Sequence, residues 1–194
     1  DIKNANILGY KIKHIGLSEI SEGKLIQRVN PCLIKKGSRL GNVNGVLNAV
    51  IIEGEPIGKS VLQGEGAGAG PTTSALVSDI CSILRGNLKY PFSVSHKKRK
   101  KINSIDISNQ LFSNYIRLDA VDKKGVLSAI TKIMSKNKIS VKRLIQDPLK
   151  GKKYASIIII SHKAKNKNVK KCIDELNKKN FIINRPKFIR IEEI

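Results

Sequence analysis

Tryptophan is absent from this sequence, and aromatic residues make up only 4% of it. The apolar 40% therefore rests on Ile, Leu, Val and Ala, which predicts an aliphatic core in a globular protein. Cysteine is scarce too. Cys32, Cys81 and Cys172 are far apart and form no C-x-x-C pair, so neither a disulfide framework nor a zinc site is indicated. They read as small buried hydrophobes. His14, His96 and His162 are equally scattered, and no metal ligand is assigned. No apolar run approaches the roughly 20 residues that cross a bilayer. The opening Asp1-Ile2-Lys3-Asn4 has no signal-like stretch. A soluble, cytoplasmic chain with no membrane partner is expected. The first residue is Asp1 rather than Met, so residues upstream are expected as well.

Acid is the other shortage. Fifteen Asp and Glu face 37 Lys and Arg, for a formal charge of +22. Clustered cations of this number suggest nucleic acid, whose counterions they would release. The lysines, however, occupy nearly every polar position along the chain. The one true run, His96-Lys97-Lys98-Arg99-Lys100-Lys101, has no aromatic within it to stack a base. It reads as a solvated linker, and no specific nucleic-acid partner is assigned.

With 194 residues there is room for two small cores. Ile2 to Leu8 reads as a helix end stopped by Gly9. Tyr10 to Ile20 alternates as a strand, and Leu25 to Ile34 is a second strand whose end Pro31 should demote to an edge or exit. Val46 to Ile52 and Ile57 to Gln63, with Glu53-Gly54-Glu55-Pro56 between them, read as a hairpin of the same antiparallel sheet. A glycine-rich passage, Gly64 to Gly70, then enters Pro71 and a helix over Thr72 to Leu84. Its apolar residues Leu76, Val77, Ile80, Ile83 and Leu84 span a broad face expected to be well buried. Pro71 suits its first turn, and Thr72, Thr73 or Ser74 would cap it. From Gly86 to about Asn109 the periodicity fades, which sets a boundary.

Beyond it the types alternate: a strand over Phe112 to Val121, a helix over Lys124 to Lys136, and strands over Ile139 to Gln146 and Tyr154 to Ser161. Turn residues Asp147-Pro148 and Lys150-Gly151 join the last two. A helix over Lys165 to Lys178 and a strand over Phe181 to Ile191 follow. The βαββαβ order is ferredoxin-like, with two helices on one face of an antiparallel sheet. The fold class is thus α+β: an antiparallel or mixed sheet with covering helices, followed by the βαββαβ unit. The expected segments are 1–90, a basic linker 91–110, and 111–194.

Two nucleotide signatures are tempting and incomplete. Gly64-Glu65-Gly66-Ala67-Gly68-Ala69 fits G-x-G-x-x-A between strand and helix, but the second parallel strand and its ribose-binding acid are missing, and Asp79 lies inside the helix. Gly54-Glu55-Pro56-Ile57-Gly58-Lys59-Ser60 is one residue short of a P-loop and falls in a hairpin. What remains is a loop where backbone amides could approach a ligand at a helix N-terminus. The same glycines would equally serve a tight packing turn. No catalytic constellation stands out, and Glu53 and Glu55 read as turn carboxylates.

Taken together, Asp1 to Ala5, Leu8 to Lys13, Val29-Asn30-Pro31, Leu33-Ile34, Gly45 to Val50, Gly64 to Gly68, Pro71 to Ala75 and Asp79-Ile80 resemble homoserine dehydrogenase in order and spacing. The resemblance implies an enzyme that interconverts L-aspartate 4-semialdehyde and L-homoserine with NADP or NAD, on the way to threonine and methionine. It places Gly68, with Gly66, against the nicotinamide end of the cofactor. The catalytic residues and dinucleotide-binding domain are expected upstream of this chain, which alone should be inactive. Residues Leu118 to Leu127 and Asn137 to Ser140 are similar to an ACT domain, a ligand-sensing module. That resemblance implies a homodimer and an effector, threonine, held by Asp122, Gly125, Val126, Leu127 and Asn137. Lys124 stands where many such modules have Pro, and the Gly125 turn would equally serve as a structural turn. The alternative function is a non-catalytic amino-acid-binding regulatory protein.

Overall fold

The computed structural model describes residues 1–87, 94–148 and 153–194. The chain forms two compact units, one of Asp1–Lys36 with Asn103–Ile194 and one of Gly37–Ile102. These units divide the chain differently from the expected segments, because the first two strands join the C-terminal sheet rather than the hairpin.

The larger unit opens with helix α1 (Ile2–Ile7), ended by Gly9 at a positive φ of 83°. Strands β1 (Tyr10–Ser21) and β2 (Lys24–Lys35) pair antiparallel over their whole length. Pro31 does not end β2. It lies opposite His14, and the strand on the other side joins only from Cys32, so the missing N–H falls where the ladder has one neighbour. The βαββαβ module follows as β5 (Leu111–Val121), α3 (Val126–Lys136), β6 (Val141–Pro148), β7 (Tyr154–Ser161), α4 (Asn166–Asn177) and β9 (Lys187–Glu192), with a two-residue strand β8 (Ala164–Lys165) before α4. The last strand is shorter than its sequence pattern implied; residues 181–186 are irregular, with Ile182 in an isolated bridge to Ala120. The expected turn at Lys150-Gly151 lies outside the described residues.

Strand order is β1-β2-β9-β5-β7-β6, and β2 runs parallel to β9 through Cys32↔Arg190, Leu33↔Ile191 and Ile34↔Glu192. On one face, Ile116, Leu118, Ile157 and Ile159 pack with Ile130 and Met134 of α3 and Val169 and Leu176 of α4. On the other face, Tyr115, Ile158, Ile160, Ile191 and Leu33 pack with Ala5 of α1. Ile157 to Ile160 form an unbroken apolar run because β7 is covered on both sides. Each such fully buried aliphatic contributes roughly 1.5–3 kcal/mol.

Toward β2 the helix-covered face turns polar. Glu192 accepts two hydrogen bonds from the Arg28 guanidinium at 2.9 and 3.0 Å and a third at 3.2 Å, and both side chains are about nine-tenths buried. Arg190 donates to Asn30 at 2.6 Å and to Asn166 at 3.2 Å. Both guanidinium carbons stand near the Phe112 ring, at 5.1 Å for Arg28 and 4.8 Å for Arg190. Burial pushes the Cys32 thiol up to about 11, with Glu192 adding to the effect, and pushes Cys172 up to about 12. Both are buried as expected, whereas Cys81 is half-buried.

In the smaller unit, β3 (Leu47–Gly54) and β4 (Gly58–Glu65) form a separate two-stranded antiparallel sheet, followed by α2 (Ala69–Leu84). The helix forms where expected, but no α2 residue is buried. Leu76, Val77, Ile80, Ile83 and Leu84 are all more than half exposed. Helical periodicity shows that an apolar face exists; it does not show what covers that face.

Candidate functional site

Two helix N-termini, one in each unit, carry the candidate residues other than Asn137. In the smaller unit, β4 ends at Glu65 and the chain passes through Gly66, Ala67 and Gly68 into α2. Gly68 is the N-cap with φ 127° and ψ 157°, a conformation closed to L side chains. Its carbonyl accepts the first helical hydrogen bond, from the Thr72 N–H at 3.2 Å. The helix starts at Ala69, so Thr72, Thr73 and Ser74 lie inside it, and no side chain caps it. Expected caps become interior residues because the glycines themselves make the turn. Gly66 answers a different demand: a Cβ there would lie 2.0 Å from the Asn48 side-chain nitrogen. Gly66 keeps the chain close to β3 while Gly68 turns it, leaving the Ala69 and Gly70 amides facing outward from the helix start.

In the larger unit, β5 leads through Asp122, Lys123 and Lys124 to Gly125, which caps α3 in the left-handed conformation at φ 87°. No side chain caps this helix either. Its first-turn amides and positive dipole end border a cavity of about 300 Å³ lined by Asp122, Lys124, Gly125, Leu127, Gln146 and Ile157. The Asp122 carboxylate accepts a hydrogen bond from Gln146 at 3.2 Å. Chemically, the helix end suits a carboxylate and Asp122 suits an ammonium group, the two charges of a free amino acid. Gln146 was not singled out from sequence. Its role follows from the pairing of β6 with β7, which sets it opposite Ile157 beside the cavity.

The structure brings Asp122, Gly125, Val126 and Leu127 together and leaves Asn137 elsewhere. Asn137 caps the other end of α3, about 16 Å away at 1.5 Å per helical residue. It is buried, and its amide nitrogen donates to the Ile133 carbonyl at 2.9 Å and to Glu175 at 3.0 Å. The Asn137 hydrogen bond, followed by that of Lys136, holds the Glu175 carboxyl below the usual carboxylate range. Asn137 thus closes a helix and does not face the Gly125 cavity. Among the described residues, no three His, Cys, Asp or Glu side chains gather in a way that could hold a metal. No helix there is long and apolar enough to cross a membrane.

Residues 1–81 match the family model for homoserine dehydrogenase, and residues 114–180 match that for the ACT domain. The homoserine dehydrogenase of Helicobacter pylori is 31% identical over 99% of this chain, and that of Neisseria gonorrhoeae is 31% identical over all of it. The matches cover 45% and 46% of those proteins, so the chain spans about half the length of the curated relatives it matches. Among solved structures, a homoserine dehydrogenase from Thiobacillus denitrificans superposes with a TM-score of 0.84 at 29% identity, covering 99% of this chain and 44% of that one.

Proposed function

We propose, from the match of residues 1–81 to homoserine dehydrogenase and of residues 114–180 to the ACT domain, that this chain is the C-terminal half of a homoserine dehydrogenase. Its reaction is hydride transfer between NADP or NAD and the pair L-aspartate 4-semialdehyde and L-homoserine, in the supply of threonine and methionine in the cytoplasm. The observation that carries this reading is the superposition on the Thiobacillus denitrificans enzyme over 99% of the chain. Within it, Gly66 and Gly68 form an open helix start that suits close approach by the nicotinamide end of the cofactor. The chain contributes this turn; hydride transfer and proton handling fall to residues of the other half. The segments 1–90, 91–110 and 111–194 remain the functional division, and the working form is a homodimer.

The ACT domain is the sensor. Threonine sits in the Gly125 cavity, with its carboxylate on the first-turn amides of α3 and its ammonium on Asp122. Co-expression of this chain with the nucleotide-binding half of the Thiobacillus denitrificans enzyme should restore homoserine-dependent NAD(P) reduction, and Gly68→Val should abolish it. A soluble, associated pair with no such activity would remove the enzyme reading. The completeness of the Gly125 cavity within this chain favours a second reading, a non-catalytic amino-acid-binding regulator. Threonine binding by calorimetry, with no effect on a restored dehydrogenase, would select it.

A further inference from the structure

A second cavity of about 480 Å³ lies where α3 ends and α4 begins, at the opposite end of α3 from Gly125. Six of its ten lining residues are lysines: Lys136, Lys138, Lys163, Lys165, Lys167 and Lys171. Lys and Arg together are 37 of 194 residues, about one in five, so composition alone does not account for this density. No carboxylate lines the cavity. Lys136 pairs with Glu175 at 2.9 Å and Lys163 with Glu193 at 3.5 Å. Among the described residues, no ion pair engages Lys138, Lys165, Lys167 or Lys171. Asp106 feels the charge of Lys167, but both its oxygens accept hydrogen bonds from Ser108.

The arrangement opposes helix stability. Lys165 is the N-cap of α4 with no side-chain hydrogen bond, and the first turn contains no acid. Cations gathered at the positive end of a helix repel its dipole. Lys167 and Lys171, four residues apart on one face, also repel each other. An anion in the cavity would relieve both penalties and would receive the first-turn amides of α4 as further donors. Ala164 and Leu111 are the apolar part of the lining, and no aromatic is present to recognise a base.

We propose that this cavity binds a compact polyphosphate group of two or three linked phosphates, held by Lys138, Lys165, Lys167 and Lys171. Calorimetric titration of the 194-residue chain with inorganic tripolyphosphate should show saturable binding in about 150 mM salt, where charges are screened over about 8 Å. Lys167→Gln with Lys171→Gln should weaken binding about tenfold or more. Lys97→Gln with Lys98→Gln, in the basic run, should change it less than about twofold. The first pair should also raise the unliganded melting temperature and remove the further rise that tripolyphosphate gives the unaltered chain. Displacement of tripolyphosphate by ATP would show that a nucleotide's phosphate chain is accepted; no displacement would restrict the cavity to free polyphosphate, and either result supports the site. Equal weakening by both substitution pairs, or non-saturating binding at this salt, would overturn it.

Discussion

Replacing Glu192 by Ala tests the polar contact between β2 and β9. At about 3 Å and an effective dielectric of about 20, the Coulomb attraction between Glu192 and Arg28 is about 5 kcal/mol, before the desolvation of both groups is set against it. The pair is only about one-tenth exposed, so truncating the acid leaves Arg28 buried without its counterion. Arg190, on the same Phe112 ring, then becomes an uncompensated neighbour of like charge. The expected loss is about 3–5 kcal/mol. At roughly 2–4 °C per kcal/mol for a chain of this size, that is a fall in Tm of about 6–20 °C. Arg28→Met should cost less, because Arg190 stays beside Glu192 as a second cation. The double replacement Arg28→Met with Glu192→Ala should cost clearly less than the sum of the two single changes, because no unpaired member of the Arg28–Glu192 pair is left buried. Urea melts of the four proteins give the coupling. If Arg28→Met proved the more damaging single change, or if the double change cost the sum of the two, the reasoning would fail.

Gly125→Ala should destabilise by about 1–2 kcal/mol purely through backbone strain, since φ is 87° and a Cβ would meet nothing within 4 Å; thermal melts check this, and Gly125→Asn should lose less. Gly66→Ala should cost less than about 1 kcal/mol, because the exposed Asn48 side chain that a Cβ would meet can swing aside, and Asn48→Ala in the same chain should remove that cost. With a thiol-reactive chromogen at pH 8, half-buried Cys81 should react first, and Cys32 and Cys172 only on unfolding. Those two thiols have folded values raised from an ordinary value near 9 to about 11 and about 12. The stability they contribute is therefore fully present below pH about 9 and is lost as pH rises through the folded values. Denaturant midpoints at pH 8 and pH 10 should show the loss beginning.

The βαββαβ module was legible because each element announces itself locally. Tyr154–Ser161 contains the β-branched run Ile157 to Ile160, and Val126, Ile130, Ile133 and Met134 mark one face of α3. The hairpin of β3 and β4 and the glycine stop of α1 were equally local. The union of β2 with β9 was not. It joins strands about 150 residues apart through three register pairs, and a strand's sequence does not name its partner. The same union explains Tyr115. It shares a strand face with Arg117 and Asp119, yet it is fully buried because α1 covers that face, and its hydroxyl donates to Asp1 at 2.8 Å. Of the candidate effector residues, the Gly125 turn is readable from its glycine. Asn137 stands apart from that turn at the far end of α3, and a polar residue just past a helix looks the same in sequence whether it binds a ligand or closes the helix.

The parallel pairing of β2 with the last strand also sets a timetable. On a ribosome adding about 5–20 residues per second, the β1–β2 hairpin would emerge about 8–30 s before β9 follows it. Throughout that interval Leu33 and Ile34, fully buried in the finished sheet, sit on an open strand edge able to pair with a neighbouring nascent chain. Lys24, Arg28, Lys35 and Lys36 lie on and beside that strand, where like charge opposes such pairing. The exposure of that edge is over once β9 has paired with it.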